Sequence, residues 1–164
     1  MSYHGADPIV FEGVSNVTAT PSVQLGTERV YQGEKYRYVY SNGQISPGYG
    51  AALSGTSGHS VVATGVVSGE LCAGFVKHVT LTTGTYGWLL TRGVVDAYNG
   101  MTNSAPADGD VVYLATDGKI RTGKGAPATS ATDFVGGCVL GKVLSAGASG
   151  GTGASLSLIY VSVF

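Results

Sequence analysis

The sequence predicts an all-β protein: a small β-barrel or barrel-like sandwich of short antiparallel strands, preceded by an extended N-terminal arm. Three observations predict it. Glycine accounts for 27 of 164 residues, and glycines interrupt the apolar runs every few positions, as tight turns between short strands require. Several runs alternate with a period of two, and no window carries the apolar repeat of an amphipathic helix. A degenerate phrase also occurs twice, over residues 45–95 and 105–163, and each copy reads turn, strand, turn, strand, turn, strand.

The elements follow in order. Residues 1–20 have weak periodicity, with Pro8 and Pro21 as breakers, and read as the arm; residues 21–164 read as a single β-domain. Over 35–40, Tyr36, Tyr38 and Tyr40 share one face and Lys35, Arg37 and Val39 the other, which is the pattern of a half-buried strand. Ser41-Asn42-Gly43 makes a turn, since Asn-Gly tolerates positive φ. Residues 60–67, 71–81 and 86–95 are Val-, Thr- or aromatic-rich strands, the last the strongest. Residues 111–115 form the next strand, and Asp117-Gly118 predicts a type I′ turn into 119–122. Strands at 134–144 and 156–164 complete the set, separated by Gly- and Ser-rich loops at 123–132 and 145–153. The last strand is apolar on both faces. It is expected to be covered on both sides, either placed centrally in the sheet or sealed against another subunit, because a long uncovered apolar edge aggregates.

Composition narrows the function. Charged residues are 12% of the chain, about half the usual share, and mean hydropathy is +0.20. So few charges imply surface covered by a partner or by a second copy, alongside surface covered by Ser, Thr and Gly. The net charge of −1 provides no basic face, so nucleic acid is not an expected partner. No run is long and apolar enough to cross a membrane, and the N-terminus lacks the basic and apolar regions of a secretory signal. Synthesis in a cytoplasm is the expectation, and the Asn16-Val17-Thr18 sequon is then incidental.

The chemical motifs are incomplete. Gly118 to Gly125 nearly spells a phosphate-binding loop, but Gly125 stands where Ser or Thr must hold magnesium, and no helix is predicted to follow. His59, Ser60 and Asp96 lack a nucleophile elbow. Asp108-Gly109-Asp110 has too few oxygen ligands for calcium and reads as a turn, with Asp108 bonding its local backbone. Cys72 and Cys138 lack metal-ligand spacing and read as buried thiols, with a disulfide between them as the alternative. Trp88 reads as core. No catalytic residue, metal or cofactor is assigned, and an enzyme is not expected. Tyr31, Tyr36, Tyr38 and Tyr40 form a stripe with two readings, a barrel wall or a surface between subunits.

The order of phrases resembles a family. A Tyr-rich first strand, Gly43-Gln44-Ile45-Ser46-Pro47-Gly48, Phe75-Val76, Tyr86-Gly87-Trp88-Leu89-Leu90-Thr91-Arg92-Gly93-Val94-Val95 and Ala107-Asp108-Gly109-Asp110-Val111-Val112-Tyr113-Leu114 succeed one another. This resembles the capsid decoration (cement, head-stabilising) proteins of tailed bacteriophages, over roughly residues 31–141. The long arm before Tyr31 and the 145–153 loop depart from the family pattern. The resemblance implies a structural virion protein on the outer capsid surface, often a homotrimer, made in the host bacterial cytoplasm. It would bridge neighbouring major capsid protein subunits and stabilise the expanded head. The arm would dock on the capsid through Ile9, Val10 and Phe11. The alternative is a virion fibre or spike module that binds host-surface glycans, with the 96–104 region as its loop.

Overall fold

Alternating side chains need two covers or one cover and water, and the strand pairings decide which. The computed structural model describes residues 13–53, 61–64, 71–100, 105–115, 117–122, 139–147 and 155–163, with the backbone alone at 61–64 and 139. These residues contain no helix and ten strands. They are β1 (Glu28–Tyr31), β2 (Glu34–Ser41), β3 (Gly50–Leu53), β4 (Val61–Thr64) and β5 (Cys72–Phe75). The second half holds β6 (Tyr86–Tyr98), β7 (Val111–Leu114), β8 (Ile120–Thr122), β9 (Val139–Ser145) and β10 (Leu156–Ser162). The all-β expectation holds.

All ten strands belong to one sheet, in the order β1-β2-β4-β3-β5-β6-β10-β9-β7-β8. The spine is β6, at 13 residues the longest strand. Its first half, from Tyr86 to Arg92, pairs with β2, and its second half, from Arg92 to Tyr98, pairs with β10. All pairings between strands are antiparallel except β2–β4.

The β2–β6 pairing folds the first part of the sheet back on itself, so that β2, β4, β3, β5 and β6 make a cycle. The cycle is thinly joined, with two residue pairs at β2–β4 and one at β5–β6. The whole sheet stays open, with β1 and β8 as its edges. A fully closed barrel, one of the two forms expected, is therefore not what the chain builds. The long β6 leaves the cycle to carry a second group of strands, β10, β9, β7 and β8, which ends at the open edge β8.

Two apolar clusters follow from this arrangement. The smaller takes Val39 from β2, Ala51 from β3, Ala73 from β5 and Leu89 from β6, sealed by Ile45, Val76 and Leu81. Period-two alternation puts these side chains on the inside of the cycle. Two of the four wall residues are alanine, as befits a ring of few strands and small bore. The larger cluster holds the side chains that point the other way, including Tyr36, Tyr38, Trp88, Leu90 and Phe75, together with the buried face of β7, β9 and β10. Trp88 is core, as expected, at 4% exposure.

Three local expectations are corrected. The predicted strand over 71–81 stops at Phe75, because Val76 bonds to the 48–49 turn, its carbonyl accepting the Gly48 N–H and its N–H donating to the Tyr49 carbonyl. Leu81 rejoins only as an isolated bridge to Ile45. Strand β10 is internal, between β6 and β9, but covered on one face: Ser157, Ile159 and Val161 are buried while Leu156 is 46% exposed. The Asp117-Gly118 turn has Gly118 left-handed, yet Ala115 already bonds to Lys119. The connection is thus one residue longer than a type I′ turn, the form that places glycine at the last position of the loop.

The arm was expected to run to about Thr20. The structure attaches the chain earlier. Val14 is 4% exposed in the larger cluster, Thr18 bridges Tyr86, and Val23 and Leu25 pack against the same cluster. Apolar side chains of the segment find a ready tyrosine face, so residues 14–25 belong to the domain. Cys72 is a buried thiol, whereas Cys138 and the 123–132 loop lie outside the described residues.

Candidate functional site

The predicted site residues divide sharply. Ile9, Val10 and Phe11 lie outside the described residues. Tyr36 and Tyr38 are each 1% exposed within this one chain and leave no area for a second subunit. Their face is covered by the chain's own N-terminal segment: the Tyr38 hydroxyl oxygen accepts the Ser22 N–H and Oγ–H, both at 3.1 Å, and lies 3.3 Å from Thr18 Oγ1. Of the two readings of the stripe, the wall is the one these two residues fulfil. Tyr40 is half-buried against Tyr86, with ring centroids 5.0 Å apart. Tyr31 keeps exposed area on the edge strand β1, with the Arg29 guanidinium 5.7 Å from its ring.

Sequence reasoning passed over the polar centre of the molecule. Glu34 opens β2 immediately after the β1–β2 turn. Its carboxylate accepts Lys77 Nζ at 2.7 Å on both oxygens, the Tyr36 hydroxyl at 2.7 Å and the Val94 N–H at 3.0 Å. Gly93 makes this possible. Its φ of 146° belongs to glycine, and a Cβ there would stand 2.8 Å from Glu34 Cγ and Oε1. The missing side chain leaves room for the carboxylate that receives the Val94 N–H.

The electrostatics follow from the contacts. Burial alone would push the Glu34 carboxyl up, but the bonds from Lys77, Tyr36 and Val94 outweigh it and hold the group below the ordinary range. The Tyr36 phenol is pushed well up, first by burial and then by Glu34. His78 Nε2 lies 3.0 Å from the Tyr36 oxygen, and the two rings stack at 5.9 Å. Tyr36 has one proton and gives it to Glu34, an acceptor only. Nε2 must therefore carry the hydrogen and donate it to Tyr36, which leaves Nδ1 as the basic nitrogen of the neutral ring. Burial and the neighbouring Lys77 ammonium lower the His78 pKa, with Glu34 opposing them.

This clasp forms one wall of an open cleft of about 410 Å³. Lys77 and His78 stand on one side, the Pro47-Gly48 turn on another, and the outer face of β6 and β10 forms the floor through Val94, Asp96, Tyr98, Leu156 and Leu158. Every acceptor direction of Glu34 is engaged, so its role is to hold β2, β6 and the 77–78 segment together. The polar side-chain groups left to face a visitor are Asp96, His78 and the Tyr98 hydroxyl.

The remaining motifs resolve as framework. Asp110, rather than Asp108, closes the local turn, accepting the Ala107 N–H at 2.9 Å. Asp108 reaches across to the Ala146 N–H at 2.8 Å. Residues 120–122 of the loop that resembles a phosphate site are strand β8, paired with β7. Among the described residues no three His, Cys, Asp or Glu side chains gather as a metal-binding group.

Comparison with known proteins gives one structural likeness to report. The N base of the head fiber gp8.5 of bacteriophage phi29 superposes with a TM-score of 0.44 at 11% identity, over 77% of this chain and 92% of that one. No protein-family model matches the sequence, and no curated protein matches it.

Proposed function

We propose that this chain is a structural virion protein that decorates the outside of a tailed-phage capsid, bridging major capsid protein subunits and stabilising the expanded head. The observation that carries the proposal is the ordered set of phrases across residues 31–141 that resembles the decoration proteins. Two of those phrases are the framework of this fold, one forming the β6 spine and the other the turn into β7. The scarcity of charge, 12% of residues, suits a chain whose surface is covered in an assembly.

Docking is assigned to the residues before Gly13. The attachment of Val14 and Thr18 to the domain gives an arm of that length a fixed point of departure. Ile9, Val10 and Phe11 are its apolar anchors, adding to capsid subunits as an extended segment. Three copies around a local axis, as a homotrimer, would multiply a weak contact by avidity. The test is a deletion of residues 2–12, which spares Val14. The truncated protein should keep the thermal stability of the full chain and fail to co-sediment with expanded heads. Full decoration by the truncated protein would overturn the arm mechanism. Failure of the full-length chain to bind heads would overturn the capsid reading itself.

A further inference from the structure

The cleft has an unbalanced charge. Lys77, its one lysine, is committed to both oxygens of Glu34. The Asp96 carboxylate, exposed on the outer face of β6, makes no hydrogen bond or ion pair among the described residues. Around it the walls are aliphatic: Pro47, Val94, Leu156 and Leu158. Leu156, nearly half exposed, extends the apolar floor beyond the cleft mouth. Tyr98 offers no free ring face for stacking, since it packs on Gly48 and on the Tyr49 ring at 4.8 Å. An apolar trough ending in a lone carboxylate matches an amphipathic cation, whose methylene stem lies on apolar surface while its head meets the counter-charge.

We propose that this cleft receives a basic side chain, lysine or arginine, carried on an extended segment of a partner protein, with Asp96 as counter-charge and His78 as a proton-dependent gate. The gate follows from the clasp. With Nε2–H committed to Tyr36, an added proton goes to Nδ1 and makes His78 a cation in the same cleft as Asp96. The charged and titratable groups around it are Lys77 beside it, Glu34 and Tyr36 from β2, and Asp96 and Tyr98 from β6; farther along the same outer face the Arg92 guanidinium of β6 donates to the Tyr160 hydroxyl of β10, and the Pro47-Gly48 turn presents none. Protonation takes the sum of Lys77, Glu34, Asp96 and His78 from negative to neutral, so the cleft binds a cation better with His78 neutral. The proposal stands whether or not the chain belongs to a capsid.

The test is a titration of the full-length, 15N-labelled protein with the capped peptide Gly-Leu-Arg-Leu-Gly and with the same peptide carrying neutral citrulline for arginine. The arginine peptide should shift the amides of Val94, Asp96, Leu156 and Leu158, and citrulline should bind about fivefold more weakly, the scale of an exposed ion pair. Asp96→Asn should remove that preference while leaving distant amides in place. Affinity for the arginine peptide should fall as the pH is lowered through the His78 titration, and His78→Gln should flatten that dependence. Equal binding of both peptides, shifts mapping elsewhere, or no shifts at millimolar peptide would overturn the proposal. The nitrogen spectrum of His78 supplies a separate check: a neutral ring protonated at Nδ1 would refute the gate.

Discussion

Glu34 shows how much one side chain can organise when its partners come from three places in the chain. It lies 43 residues from Lys77 and 60 from Val94, and no local pattern announces those contacts. Glu34→Gln should cost about 1–3 kcal/mol, since a half-buried charged acceptor loses its charge while its donors remain. The sign of the pH dependence is fixed by the lowered native pKa. The stability Glu34 contributes is complete above its ordinary value of 4.5 and is lost as pH falls through the lower native value. Urea midpoints between neutral pH and pH 3 should therefore drop more in the parent than in Glu34→Gln; parallel curves would show that the clasp does not titrate. Gln32 is the opposite case, a local misfit. It sits at φ 51° beside Gly33 at φ 81° in the β1–β2 turn, where Asn is the favoured partner of Gly. Gln32→Asn should raise stability by roughly 0.5 kcal/mol, read as a small rise in Tm. The positions of these residues were plain in the sequence, but the Glu34 network was invisible because long-range pairing brings it together.

At the scale of elements, the strand cores were readable and the bends were not. Alternation located β2, and Val- and aromatic-rich runs located β6, β7 and β10, because half-buried strands demand those residues at those intervals. Strands β1 and β3 were overlooked: Glu28–Tyr31 is largely exposed and Gly50–Leu53 is built from small residues, so neither shows contrast between faces. The bulges are where glycine is indispensable. At Gly141, φ is 155° and a Cβ would overlap the Tyr160 carbonyl oxygen of the adjacent strand. Gly141→Ala should thus part β9 from β10 and cost about 3 kcal/mol or more, measured by chemical denaturation; a loss below about 1 kcal/mol would contradict so close an approach. Tyr38 makes a second test of an element. Tyr38→Phe keeps the ring against Trp88, at 5.0 Å, and removes the acceptor shared by Ser22 and Thr18. A loss of about 1–2 kcal/mol is expected, with faster hydrogen exchange confined to residues 14–27.

For the whole molecule, the boundary between arm and domain sets the decisive comparison. Deleting 2–12 should leave stability unchanged, whereas deleting 2–20 removes Val14 and the Thr18 bridge and should cost about 2–4 kcal/mol; equal melting temperatures would restore the longer arm. The low charge of the chain finds its place on the outer face of the second group of strands, where Val111, Leu144 and Leu156 remain exposed. Composition, glycine spacing and alternation by themselves determined the all-β class, most strand positions and the burial of Trp88 and Cys72, because these depend on local geometry and on the transfer of apolar groups from water. Tertiary structure alone decided that the tyrosine face is covered by the chain's own residues 14–25, that β6 serves both the cycle and the second strand group, and that Lys77, held by Glu34, shares one cleft with His78 and Asp96. Those outcomes depend on which strand pairs with which. Pairing is a competition among many nearly equal apolar faces, settled by register, bulges and the room glycine leaves, and that competition is resolved only when the whole chain is assembled.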